Sequence, residues 1–175
     1  MKKVYCNVLQ SSWIDTPLGP MIGIADKEHL YLLEFSQRHG LQREIEQLCN
    51  QTKSVIIPGK LQPLISIKEE LRLYFAGQLK KFKTPLYIQG TEFQKTAWEA
   101  LINIPYGQTR SYKEQARIIG KPLACRAVAN ANASNQFAII IPCHRIINSD
   151  GKLGGYAGGT PRKQWLLEHE QRHLS

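Results

Sequence analysis

Cys143 sits among residues that could activate a thiol. In "IIPCHRIINSDGKLGGYAGG", Ile140 to Gly159, it follows Pro142 and precedes His144 and Arg145. Proline cannot donate to a sheet ladder, so regular pairing is interrupted just before the sulfur. A neighbouring histidine base or fixed positive charge favours thiolate over thiol. Downstream, Gly151, Gly154, Gly155, Gly158 and Gly159 surround Tyr156 and offer a loop whose backbone can close on a planar ligand. Four roles for the cysteine are open at this point: nucleophile, metal ligand, disulfide partner or buried filler. Free cysteines are often plain hydrophobes. Cys6, Cys49, Cys125 and Cys143 are widely spaced, with no C-x-x-C pair, which argues against a disulfide framework and against a tetrahedral zinc site. A thiol hydrolase is disfavoured as well, because papain-like enzymes take their histidine from far along the chain.

The elements that must hold this stretch can be read in outline. "KVYCNVLQ", "MIGIAD" and "HLYLLEFS" read as strands, with a turn at "ADKEH". "LQREIEQLCN" carries Leu41, Ile45 and Leu48 at helical spacing. "LQPLISIKEELRLYFAG" places Leu64, Ile67, Leu71 and Phe75 on one stripe and stops at Gly77. "KKFKTPLYIQG" reads as a connection with room for a short edge strand, and the boundary is set near Gly90, giving units 1–90 and 91–175.

The second unit is better punctuated. Thr91 with Gln94, and Ser111 with Glu114, are capping-box patterns that open two helices, the second being "YKEQARII". After Gly120, Pro122 is expected in the first turn of the helix "LACRAVANAN". Two short helices joined by "GKP", the second small-faced and carrying Arg126, form a helix-turn-helix pattern, although tight packing in a bundle gives the same signal. "FAIIIP" reads as a strand, and Thr160 as the N-cap of a final helix with Pro161 at its first position. Trp165, Leu166 and His169 are expected to face inward.

The 175 residues suffice for a core without staples. The net charge of +9 favours a polyanionic partner, since each cation placed on a phosphate releases counterions; solubility charge is the alternative. No apolar run approaches membrane-spanning length and the N-terminus lacks a signal-peptide h-region. A soluble cytoplasmic protein is expected.

"CRAVANANASN", "IPCHRII" and "GGYAGG", followed by "WLLEHE", resemble the O6-alkylguanine-DNA alkyltransferases across Thr91 to Glu170. The first ninety residues fit that family's ribonuclease-H-like α/β domain by size and pattern. The resemblance implies an α/β (α+β) N-terminal domain followed by a mostly helical, winged helix-turn-helix-like domain. It implies direct-reversal DNA repair in which each molecule reacts once, with no cofactor and no metal. Cys143 would take the alkyl group from O6 of guanine as a stable thioether. His144 would deprotonate it through a water, Glu170 would orient His144, and Asn135 would brace the turn.

Double-stranded DNA carrying O6-alkylguanine is the implied partner, bound in the minor groove by a monomer. Arg126 would fill the stack vacated by the flipped base. Ala124 and Ala127 would permit close approach, and Arg145 is grouped with these DNA-contacting residues. Tyr112 would help rotate the nucleotide and donate toward guanine N3. Tyr156, Ala157, Gly158 and the carbonyls of Cys143 and Ile146 would grip the base. Some relatives carry a hydroxyl where this chain has Ala157, so a side-chain bond to O6 would be missing. The competing reading is a non-catalytic module that binds alkylated DNA and flags lesions. It conflicts with the acceptor cysteine, which such modules replace.

Overall fold

A computed structural model describes residues 6–175. The start of the first predicted strand, Lys3–Tyr5, lies outside the described residues. The N-terminal half is a four-stranded mixed sheet flanked by two helices. Strands β1 (Asn7–Ile14), β2 (Met21–Ala25) and β3 (Leu30–Phe35) form an antiparallel meander. Helix α1 (Leu41–Thr52) then crosses to β4 (Ser54–Pro58), which pairs parallel to β1 in the order β3-β2-β1-β4. The run "SVIIP" had not been read as a strand.

Alternation of side chains gives the sheet two apolar faces. Leu9, Ile22, Ile24 and Leu32 pack with Leu48 of α1. On the other face, Ile14, Met21, Leu33 and Phe35 pack with Leu64, Ile67 and Leu71 of helix α2 (Gln62–Phe75). Helix α2 ends as its sequence suggested: Gly77 takes a φ of +73° and donates to the Tyr74 carbonyl at 2.9 Å. The following connection meets the sheet through a bridge between Leu86 and Leu30 and through Tyr87, whose ring stacks on Tyr31 of β3 with centroids 4.5 Å apart.

The second half is helical. It comprises α3 (Glu92–Ile102), β5 (Arg110–Ser111), α4 (Tyr112–Ile118), α5 (Cys125–Ala133), a 3-10 turn at Cys143–Arg145, β6 (Ile146–Ile147) and α6 (Thr160–Arg172). Both capping boxes form with reciprocal bonds, and β5 pairs parallel to β6. The core is continuous across the two halves: Trp98, Leu101, Phe137, Ile141 and Leu166 join the cluster on the α2 face of the sheet.

Three sequence expectations are corrected. Pro122 lies in a turn before α5, which begins at Cys125, because the Ala124 N–H closes back on the Lys121 carbonyl at 2.9 Å. Helix α6 begins at Thr160 after Gly159, whose φ of +93° sets the entry that Thr160 was expected to cap. "FAIIIP" is no strand. It winds through buried turns and touches the sheet through one bridge, Phe137 to Leu33. Its isoleucines satisfy burial rather than pairing, and Ile139 is held at a φ of +73°, a strained value for a β-branched residue.

Candidate active site

The turns that replace the expected strand deliver Cys143 to the floor of a cleft. Asn135 organises them from within. Its Oδ1 accepts from the Phe137 N–H at 2.9 Å, and its Nδ2 donates to the Ile141 carbonyl at 2.8 Å and lies 3.4 Å from Cys143 Sγ. Both ends of a buried amide are thus spent on holding the chain just before the thiol. Part of Cys143 is reachable from the cleft, yet enough protein surrounds it that burial pushes the thiol up to about 11, with the Asn135 amide opposing. The resting form is therefore the neutral thiol.

Behind it, the 3-10 turn swings His144 into the interior, where it is fully buried. Its Nε2 lies 2.7 Å from Glu170 Oε1, so the tautomer that fits this network carries its proton on Nε2. Nδ1 has no hydrogen-bond partner among the described residues. Burial holds the imidazole below its ordinary value against the pull of Glu170, so it is neutral and free to accept at Nδ1.

Glu170 is itself completely buried. Burial alone would raise its carboxyl, but the hydrogen bond from His144, followed by the hydrogen bonds and charge of Arg145, holds it far below the usual carboxylate range. Arg145 donates through Nε to Oε2 at 2.9 Å and through Nη2 to Oε1 at 3.0 Å, and it also reaches the Ile104 carbonyl at 2.6 Å. This corrects the grouping of Arg145 with the DNA contacts. Its guanidinium is locked inside the fold as the counter-ion of Glu170, and no phosphate can reach it.

The cleft above Cys143 encloses about 660 Å³, and Tyr112, Arg126, Tyr156 and Ala157 line it together with the thiol. Tyr112 enters at the first turn of α4. Its phenol is pushed up by burial and then by Cys143, so it remains a donor. Arg126 is exposed on the first turn of α5, at the mouth. Ala124 and Ala127 lie with it along a second, outer concavity, beside the fully exposed Leu123. Gly158 lies behind the wall: a Cβ there would come within 2.8 Å of the Tyr156 ring, so its bareness lets that ring seat.

Ile146 is buried and its carbonyl already accepts from Lys163 Nζ, which also donates to the Gly155 carbonyl at 3.0 Å. Burial lowers the Lys163 ammonium to about 8. Sequence reasoning missed Lys163, which ties the strand after the thiol to the glycine loop, and also Cys125, Asn130 and Asn148, which line the cleft. A lysine at an inward helical spacing beside Leu166 was the available signal.

Chemically, the arrangement is a shielded thiol, a neutral imidazole with one open nitrogen, and an ionised acid fixing the other. A cleft of this size can hold one flat base-sized group.

Comparison with known proteins gives a consistent result. Residues 92–172 match the family described as 6-O-methylguanine DNA methyltransferase, DNA binding domain, and residues 9–88 match its ribonuclease-like domain. A Methanosarcina barkeri protein named methylated-DNA–protein-cysteine methyltransferase is 44% identical over 162 residues, covering 92% of this chain and 96% of the relative. A Mycobacterium tuberculosis protein of the same name is 43% identical, with 90% of each chain covered. The crystal structure of Mycobacterium tuberculosis OGT in complex with DNA superposes with a TM-score of 0.80 at 40% identity, covering 95% of this chain and 94% of that one. An O6-methylguanine-DNA methyltransferase from Pyrococcus kodakaraensis shares the fold, with a TM-score of 0.70 at 23% identity.

Proposed function

The chain belongs to the 6-O-methylguanine DNA methyltransferase family, and we propose that Cys143 is the residue on which the alkyl group comes to rest. The protein is a DNA-repair alkyltransferase that binds DNA and transfers the alkyl group from O6-alkylguanine to its own cysteine. The observation that carries the assignment of Cys143 is the buried Glu170–His144 pair beside it, with His144 Nδ1 left unpartnered.

A water between His144 Nδ1 and Cys143 passes the thiol proton to the imidazole. The resulting imidazolium is stabilised by Glu170, whose carboxylate stays ionised. The thiolate attacks the O6-alkyl carbon in line. The S–C bond forms as the C–O6 bond breaks, and the electron pair passes to the guanine ring. Tyr112, protonated and facing the cleft, donates toward N3 and eases that departure. A thioether is a poor leaving group, so the reaction stops there.

The base must leave the duplex to reach the cleft floor. Arg126 at the mouth takes the vacated place in the stack, with Ala124 and Ala127 following the minor groove. Tyr156 and the Ala157 N–H hold the base. The Ile146 carbonyl has a second lone pair free beside Lys163 for the exocyclic amine. The protein acts as a monomer in the cytoplasm. No described helix is long and apolar enough to cross a membrane.

The test is a mass measurement after incubation with a duplex holding one O6-methylguanine. One added methyl on the Cys143 peptide is expected. An unchanged mass with retained lesion binding would instead favour the flagging module, and label on Cys49 or Cys125 would overturn the assignment of Cys143.

A further inference from the structure

Glu170 accepts from five donors, and one of them comes from the far half of the chain. Oε1 accepts from His144 at 2.7 Å, Tyr74 Oη at 2.8 Å and Arg145 Nη2 at 3.0 Å; Oε2 accepts from Arg145 Nε at 2.9 Å and the Gly107 N–H at 3.0 Å. Tyr74 belongs to α2, 96 residues away in sequence, and is completely buried. Every other donor lies in the helical half.

We propose that Tyr74 is a positioning residue for alkyl transfer, through which the N-terminal half sets how strongly Glu170 supports His144. The proposal rests on the reading of Cys143, His144 and Glu170 given above. A carboxylate offers about four lone-pair sites, so five donors leave none idle. Tyr74 and His144 share one oxygen. Each donor on that oxygen withdraws charge from it, so the phenol restrains the stabilisation that Glu170 lends to an imidazolium. Burial and the adjacent Glu170 charge keep the phenol protonated, so it can only donate.

The phenol is also fixed in direction. The Tyr74 ring packs edge-on to Phe75 and Tyr106 and tilted against Phe82, with centroids 5.4 to 6.1 Å away. The titratable and charged groups facing it are Glu170 and His169 of α6, His144 and Arg145 of the 3-10 turn, and Tyr106. Lys80 lies 5.8 Å from the Tyr106 ring centroid. His169 is spent on the Tyr74 carbonyl at 2.8 Å. None of these groups can replace the phenol on Oε1 without moving.

Sign and size follow. Removing the hydroxyl leaves more charge on Oε1 and favours the imidazolium, so His144 becomes a stronger base that must lose its own proton at higher pH before it can take that of Cys143. In single-turnover transfer from an O6-methylguanine duplex, followed across pH, Tyr74→Phe should reach half its maximal rate about half a pH unit higher than wild type. The duplex concentration giving half-saturation should not change. A ring-fluorinated tyrosine at this position, a stronger donor of nearly the same shape, should shift the midpoint downward and keeps the test independent of any folding defect in Tyr74→Phe. A rate lowered equally at every pH, an unmoved midpoint in both proteins, or a downward shift in Tyr74→Phe would overturn the proposal. Failure of the wild-type protein to transfer at all would overturn the reading of Cys143 instead.

Discussion

Arg38 of the N-terminal half donates through Nη1 to the main-chain carbonyl of Asn135 at 2.9 Å, one residue-length from the amide that holds the Cys143 turn. The same guanidinium donates to the Ala133 carbonyl at 2.7 Å, at the end of α5, and pairs with Glu34 of β3. Glu34 is only 2% exposed, and burial pushes its carboxyl up to about 8 against the opposing charge of Arg38. One side chain thus binds the sheet, α5 and the turn before the thiol. Arg38→Met should lower unfolding stability by about 1–3 kcal/mol, because it takes the donor away from the buried Glu34 carboxyl and from the Asn135 and Ala133 carbonyls. Denaturant titration checks this.

Asn135 itself gives a second expectation. Asn135→Ala leaves the Phe137 N–H unpaired in the interior, at about 1–3 kcal/mol, and strips the Ile141 carbonyl of one of its two donors, the Cys143 N–H remaining at 2.8 Å. It also removes the one amide within reach of Cys143 Sγ, which opposes the rise in the thiol's pKa. The variant should unfold earlier and its thiol should ionise at higher pH. The pH dependence of iodoacetamide labelling at Cys143 reads the second effect apart from the first.

These two residues show where the sequence was legible. The capping boxes at Thr91 and Ser111 depend on residues three apart, so local chemistry reveals them. The acceptor, its histidine and the glycine loop lie within twenty residues and were recognised together. "FAIIIP" misled because a β-branched apolar run signals burial, and burial was taken for a strand. The structure satisfies that segment with the Asn135 side chain and a strained Ile139. Arg145 was placed on DNA because charge alone does not show direction. Tyr74, Arg38 and Lys163 act through contacts with partners far away in sequence or on another element, which no local pattern encodes.

Acid should expose the role of Glu170 in stability. Its folded pKa is depressed, so its contribution is fully present above the ordinary glutamate value of about 4.3 and is lost as pH falls below it toward the folded value. Wild-type unfolding free energy should therefore decline with falling pH in that range. Glu170→Gln, which cannot ionise, should start less stable and decline less steeply. Thermal melts from neutral to acid pH provide the comparison, and parallel slopes would contradict the assignment.

Arg126 separates binding to DNA from the chemistry beneath it. It is exposed at the cleft mouth and bonded to no carboxylate among the described residues, so its loss should leave the fold and the Cys143–His144–Glu170 array intact. Taking a base out of the stack costs a few kcal/mol, and a side chain filling the gap repays part of that. If Arg126 supplies about 1.4–2.8 kcal/mol, Arg126→Ala slows transfer from duplex about tenfold to a hundredfold. Transfer from the free O6-alkylguanine base has no stack to open and should stay within about twofold of wild type. Measuring both rates on one preparation is decisive, because equal loss on the two substrates would mean that Arg126 shapes the cleft rather than the extruded duplex.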